Sequence, residues 1–332
     1  MPSPWIAALT AAPISALVLV ILHLAHRQLP QDQPNARSLH RHPVPRAGGI
    51  AIWAGFLPSA VFASGADASW RVWAGAWLAI VAVSLIDDWR GVRPEIRLAV
   101  QAAAATAVTA ELLGSRFTQG FGPAAAVLGL AVILALMWAA NLYNFMDGSD
   151  GLAAVMTICG FAAYAAAAMI SGRAPELYVA LAAAAVPFLA VNLPPARAFM
   201  GDVGSVPLGF LAGAFGLAGV VDNVWPAWFP LLVFLPFIAD ATVTLMRRLA
   251  RRVRVFEAHR LHYYQRLHRM GAGHRGTLVF YAVLIVGTAT SAVFTLAQGR
   301  AAGWAVLTGW AVAIGVAFAG IDYHWRKRIP AR

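Results

Sequence analysis

Residues 141–151 read Asn141-Leu142-Tyr143-Asn144-Phe145-Met146-Asp147-Gly148-Ser149-Asp150-Gly151, and they separate two apolar runs, 124–143 and 151–171, that contain no charged residue. Each run is long enough to cross a hydrocarbon core of about 30 Å as a helix. Two carboxylates and two carboxamides therefore stand where one membrane span ends and the next begins. Outward from this boundary, further runs lie near 5–25, 47–64, 70–86, 97–114, 176–192, 204–221, 225–246, 277–297 and 302–322, making eleven in all. The chain is 60% hydrophobic and 12% charged, against about 25% charged for a soluble domain. The expected fold is an all-α, polytopic integral membrane protein with about 10–11 transmembrane helices. Lipid offers no partners to exposed backbone, so helices are required. A β-barrel is excluded, because its strands would alternate over about ten residues.

The first run lacks a basic leader and a small-residue cleavage site, and reads as an uncleaved anchor. Cys159 is the single cysteine, which leaves no disulfide framework and no Cys-based metal site. When successive connections are assigned to alternate sides, all of the 25 Lys and Arg residues except Arg71, Arg116, Arg173 and Arg300 fall on one side. That asymmetry makes the richer side cytoplasmic. It places the N-terminus outside, the C-terminus inside, and one domain over 1–332 with cytoplasmic loops near 27–46, 87–97, 143–151, 192–204 and 247–276. Topology thus accounts for the net charge of +11 without a nucleic-acid partner.

The same alternation collects Asp32, Asp87, Asp88, Asp147, Asp150, Asp202 and Asp240 at the cytoplasmic side, while Asp67, Glu111, Glu176 and Asp222 lie scattered on the other. Carboxylates gathered on the basic face suit an anionic, metal-bound substrate. Asp87-Asp88 either ends a helix in solvent or belongs to a site shared with Arg90, Arg93 and Arg97, whose guanidinium forks suit phosphate. Asp147 and Asp150 share a face if their turn is helical; otherwise they cap a simple turn. Pro194-Pro195 breaks a helix ahead of Phe199-Met200-Gly201-Asp202, and Asp202 falls near the positive end of the next one. Phe199 is placed to stack on a base or to anchor in the interface. The stretch 247–276 reads as an amphipathic basic helix on anionic lipid, or as a diphosphate grip through His259, Arg260 and His262.

In order, the chain carries Asp32-x-Pro34-Asn35, Arg37-Ser38-x-His40, Pro45-Arg46-x-Gly48-Gly49, Asp87-Asp88, the 141–151 stretch, Phe199-Met200-Gly201-Asp202-x-Gly204-Ser205 and a histidine-bearing loop. Over about residues 31–271 this resembles the polyprenyl-phosphate N-acetylhexosamine-1-phosphate transferases. The resemblance implies transfer of a phospho-sugar from a UDP-N-acetylhexosamine to undecaprenyl phosphate, with Mg²⁺ (or Mn²⁺), giving a lipid diphosphate sugar and UMP at the inner membrane. It makes Asp202 the metal ligand, with Asp150 and Asp147 completing or orienting its shell. Asp87 and Asp88 become the pair for catalysis and lipid phosphate. Asn144 falls in the active-site motif, Phe199 becomes the uracil-stacking aromatic and Asn192 a nucleotide contact. His40, Arg46, His259, Arg260 and His262 join as substrate-binding or catalytic groups. The pattern Ala258-His259-Arg260-x-His262-x-Tyr264-Gln265-Arg266-Leu267 is similar to the O-antigen-initiating branch, whereas the His-His-His run of the muramoyl-pentapeptide branch is missing. Relatives often form homodimers. The residues leave direct attack and an aspartyl-phosphate intermediate open, and the alternative function is a transporter or flippase for a lipid-linked saccharide.

Overall fold

The structure is a computed structural model that describes residues 4–33, 39, 43–66, 68–117, 122–252 and 260–328. Each of the eleven apolar runs is helical: α1 (Pro4–Leu24), α2 (Gly48–Ala66), α3 (Ala68–Arg90), α4 (Pro94–Phe117), α5 (Pro123–Met146), α6 (Leu152–Ile170), α7 (Glu176–Asn192) and α8 (Asp202–Val221), then α9 (Trp228–Val233) with α10 (Leu235–Ala250), a short α11 (Tyr263–Leu267), α12 (Gly273–Thr295) and α13 (Arg300–Arg328). Among the described residues, eight helical stretches are long and apolar enough to cross a membrane; α2 and α7 carry shorter apolar segments. The ninth run is not one helix. It breaks at Phe234, where Pro236, lacking a backbone donor, begins a new helix more readily than it continues the old one.

Small residues bring the helices together. α8 lies at the centre, with 14 of its 20 residues buried. A Cβ on Gly209 would come within 2.3 Å of the Ala139 carbonyl oxygen on α5, and one on Gly49 within 2.4 Å of Gly204 Cα. Close backbone approach of this kind is how helices pack where burial from lipid supplies little drive. α1 packs on α2 and α7, α3 on α4 and α8, and α12 on α6.

Between α1 and α2 the chain makes a two-residue antiparallel ladder, Gln31 opposite Pro45 and Asp32 opposite Val44. This register holds the 43–49 segment against residues 199–200: Phe199 N–H donates to Pro45, Gly48 N–H to Phe199 and Gly49 N–H to Met200, all at 2.9 Å. At the far end of the bundle, Glu111, Glu176 and Asp222 border a second cavity of about 690 Å³ beside Trp70 and Trp73. They are gathered there rather than scattered.

Candidate functional site

Three helix ends meet at one end of the bundle: the C-terminus of α3, the C-terminus of α5 and the N-terminus of α8. They open on a cleft of about 840 Å³. Its polar end presents Arg46, Asp87, Asp88, Arg97, Asn144, Asp202 and His262; its flank, between α4, α5 and α10, is lined by Leu134, Met137, Trp138 and Leu245.

Asp88 extends from the last turn of α3 across the start of α8. Its two carboxylate oxygens accept the N–H groups of Asp202 at 3.1 Å and Val203 at 2.9 Å. Helix starts leave such donors unpaired, and a carboxylate there also meets the positive end of the helix dipole. Gly201 makes this approach feasible. Its φ is +74°, and a Cβ would stand 2.7 Å from Asp88 Oδ2.

Asp87, on the next position of the same turn, faces differently. It accepts the Val92 N–H at 2.6 Å and pairs with Arg97, whose Nη1 also reaches Asp202 Oδ2 at 3.1 Å. One guanidinium thus joins two carboxylates. Arg46 enters from the 43–49 segment and pairs with Asp32.

Asp147 and Asp150 do not share a helix face. α5 ends at Met146 and α6 begins after Gly151, whose φ is +76°, so the two side chains diverge. Asp147 stays close enough to Asp202 and Asp88 to feel their charge. Burial first, and then those charges, push its carboxyl well above the usual carboxylate range. Asp150 points to the 194–198 connection: its Oδ2 accepts the Ala196 N–H at 3.0 Å, and its Oδ1 lies 3.2 Å from His274 Nδ1. It is not among the residues lining the cleft.

Asn192 and Phe199 also lie outside the cleft lining. Asn192 accepts the Gly151 N–H and donates to the Ala198 carbonyl, both at 2.9 Å, so it braces the two loops that carry Asp147 and Asp202. Arg260 is half-buried away from the cleft lining. His40 and His259 lie outside the described residues. The basic stretch after α10 is not one amphipathic helix: among the described residues it contains the five-residue α11 and a bent segment before α12.

His262 does line the cleft, at the start of α11. Its backbone N–H donates to Gln265 Oε1 at 3.2 Å, and its ring stacks on Tyr264 with centroids 5.8 Å apart. Sequence reasoning gave no role to the groups that hold this segment. Asp240, buried in α10, accepts from His262 and its neighbours; Asp322 of α13 joins Arg247 and Arg266. The available signal for Asp240 was a lone carboxylate inside an apolar run, which is costly unless it is used. Gln101, which accepts from Asn141 Nδ2 at 2.7 Å, gave no such signal.

Among the described residues, no three His, Cys, Asp or Glu side chains form a metal cage. Asp87 and Asp202 nonetheless supply an all-oxygen pair that requires positive charge. That fits Mg²⁺, which usually takes one or two carboxylates and completes its octahedron with phosphate oxygens and water.

The fold and the cleft together define a multi-pass membrane protein with an acidic, arginine-bridged site at one end. Comparison with known proteins specifies the class further. Residues 70–220 match the glycosyl transferase family 4 profile. The chain is 29% identical over 273 residues, 76% of it and 74% of the relative, to the probable undecaprenyl-phosphate N-acetylglucosaminyl 1-phosphate transferase of Bacillus subtilis (strain 168). It is 29% identical to the undecaprenyl-phosphate alpha-N-acetylglucosaminyl 1-phosphate transferase of Yersinia pestis, over 75% of this chain and 72% of that one. It is 28% identical to the decaprenyl-phosphate N-acetylglucosaminephosphotransferase of Mycobacterium tuberculosis (strain ATCC 25618 / H37Rv), over 88% and 83%. The chain is thus similar to the polyprenyl-phosphate N-acetylhexosamine-1-phosphate transferases, and it is a membrane transferase.

Proposed function

We propose that the protein transfers N-acetylhexosamine 1-phosphate from a UDP-sugar to undecaprenyl phosphate at the cytoplasmic face of the bacterial inner membrane, starting an envelope polysaccharide of the O-antigen type. One observation carries this reading: a single cleft joins a charged end, Asp87, Arg97, Asp202 and Arg46, to an apolar flank, Leu134, Met137, Trp138 and Leu245. An acceptor with a phosphate head and a long hydrocarbon tail matches both ends. The relatives' names specify undecaprenyl and decaprenyl phosphate acceptors.

In the reaction, an oxygen of the lipid phosphate attacks the sugar-linked phosphorus of the UDP-sugar. The bridging P–O bond to the uridine-bearing phosphate breaks, UMP leaves, and the product is undecaprenyl-diphosphate-sugar. Because the attacking and leaving groups are both anions, catalysis depends mainly on position and charge neutralisation. Asp202 and Asp87 would hold Mg²⁺, which when bound offsets charge on the diphosphate and on departing UMP. Arg97 and Arg46 orient phosphate oxygens through their planar forks. Asp88 keeps the start of α8 in place so that Asp202 points into the cleft. His262 steadies the diphosphate from the opposite wall.

The test is to incubate purified protein with undecaprenyl phosphate, MgCl₂ and a panel of UDP-N-acetylhexosamines, and to measure UMP. Release that needs the lipid and one of the sugars is expected. A protein that yields no UMP with any donor, yet moves a lipid-linked saccharide across vesicles, would be a flippase.

A further inference from the structure

Asp240 is fully buried in α10, where an unpaired carboxylate would be strongly disfavoured. Five donors from three helices converge on it. Oδ1 accepts from Thr244 Oγ1 at 3.2 Å, from the Tyr263 N–H at 2.9 Å and from the His262 ring Nδ1 at 3.2 Å. Oδ2 accepts from the Tyr264 N–H at 3.0 Å and the Tyr281 hydroxyl at 2.5 Å. The two backbone donors are the first amides of α11, so Asp240 caps that helix from a neighbouring one. A cap alone needs no imidazole. Here the oxygen that anchors the helix start also takes the histidine's Nδ1, and the ring is packed between Tyr264 and Phe145, at 5.8 Å and 6.0 Å between centroids.

We propose that Asp240 is the positioning residue for His262: it keeps the proton on Nδ1 and so fixes Nε2 as the nitrogen presented to phosphate in the cleft. Which ring nitrogen carries the proton is set by the partner of the other, and a carboxylate on Nδ1–H fixes both tautomer and ring angle, as in hydrolase triads. The inference rests on the reading that His262 meets the diphosphate. Its structural half stands without catalysis.

The decisive experiment is a ¹⁵N spectrum of histidine-labelled protein in lipid, at alkaline pH where imidazole is neutral, with the His262 signals identified by their loss in His262→Gln. The Nδ1–H tautomer is expected, and an Nε2–H tautomer overturns the proposal. In the UMP assay, Asp240→Ala and His262→Ala are each expected to lower kcat roughly 10–100-fold, as loss of a ring-orienting partner does elsewhere. The double variant should be no slower than the worse single one, since residues acting as a unit are non-additive. Losses that multiply overturn the proposal. Should Asp240→Ala fail to fold, or no donor support turnover, the wild-type spectrum still decides the tautomer; only the latter result strikes at the transferase reading.

Discussion

The carboxylate of Asp88 accepts the backbone N–H of Asp202 at 3.1 Å, so the residue that starts α8 is held by a side chain from the end of α3. The adjacent Asp87 and Asp88 therefore have separate tasks. Asp88→Ala leaves two amides uncapped and should cost about 1 kcal/mol of stability, seen as a lower midpoint of thermal unfolding in micelles together with slower UMP release. Asp87→Asn should unfold near the wild-type temperature and release almost no UMP. Normal turnover by Asp87→Asn would remove that residue from the chemistry.

The apolar helices were legible because the hydrocarbon core imposes one chemistry on every crossing helix; that only eight of them are full-length candidate spans, and that the ninth run breaks at Phe234, was not. The gathering of acids was legible too, because alternate connections must share a side. What could not be read is which way each acid turns. Asp147 and Asp150 are three apart, yet the 147–151 turn between α5 and α6 is not helical, and Asp150 turns to Ala196 and His274 instead of the cleft. The difference between Asp87 and Asp88 depends on where α8 begins, and that is more than a hundred residues away. Asp240 could be marked as a lone carboxylate in an apolar run, but its partners, like those of Asp322, come from distant helices and have no local signature.

Asp147 stands close to two other acids, and its carboxyl is held well above the usual range. An acid that binds its proton more tightly when folded adds stability below its unfolded pKa of about 3.9. That contribution is lost as pH rises through the folded value. Asp147→Asn, which carries no charge at any pH, should therefore unfold a few degrees above wild type at pH 7, on the order of 2–4 °C per kcal/mol. The gain should vanish near pH 4. A variant less stable than wild type at pH 7, with metal absent, would contradict this account.

Gly201 combines a φ of +74° with a Cβ position 2.7 Å from Asp88 Oδ2. Gly201→Ala must strain the backbone or displace the cap, at a cost of about 1–3 kcal/mol. Thermal unfolding should show the loss. The same change at Gly75, where nothing lies within 4 Å, should be neutral or slightly stabilising because helical glycine is unfavourable.

Asp322 fastens α13 to the segment that carries His262. It accepts from Arg247 at 2.5 Å, Arg266 at 2.6 Å and the Tyr263 hydroxyl at 3.2 Å, while the Tyr263 ring stacks on Phe318 with centroids 3.8 Å apart. Asp322→Ala leaves Arg266 largely buried without this partner, which costs up to about 3 kcal/mol; the exposure of Arg247 keeps the loss below that of a fully buried pair. A lower unfolding midpoint and a parallel fall in UMP release are expected. Unchanged stability would mean that α13 does not depend on this contact.

Arg97 offers the sharpest test of the metal assignment. Its Nη1 lies between Asp87 and Asp202, so it neutralises the same carboxylates that Mg²⁺ would use. Two cations drawn to one pair of anions oppose each other's binding, and both serve the diphosphate once it arrives. Arg97→Gln should then have two effects of opposite sign. Less Mg²⁺ will half-saturate the enzyme, because the carboxylates have lost a competing charge. The maximal rate will fall, because the substrate has lost a bidentate donor, each tenfold fall being about 1.4 kcal/mol of transition-state stabilisation. A Mg²⁺ titration of UMP release separates the two effects. If the half-saturating concentration is unmoved while the rate drops, Arg97 serves the phosphates alone and the ion's ligands lie elsewhere in the cleft.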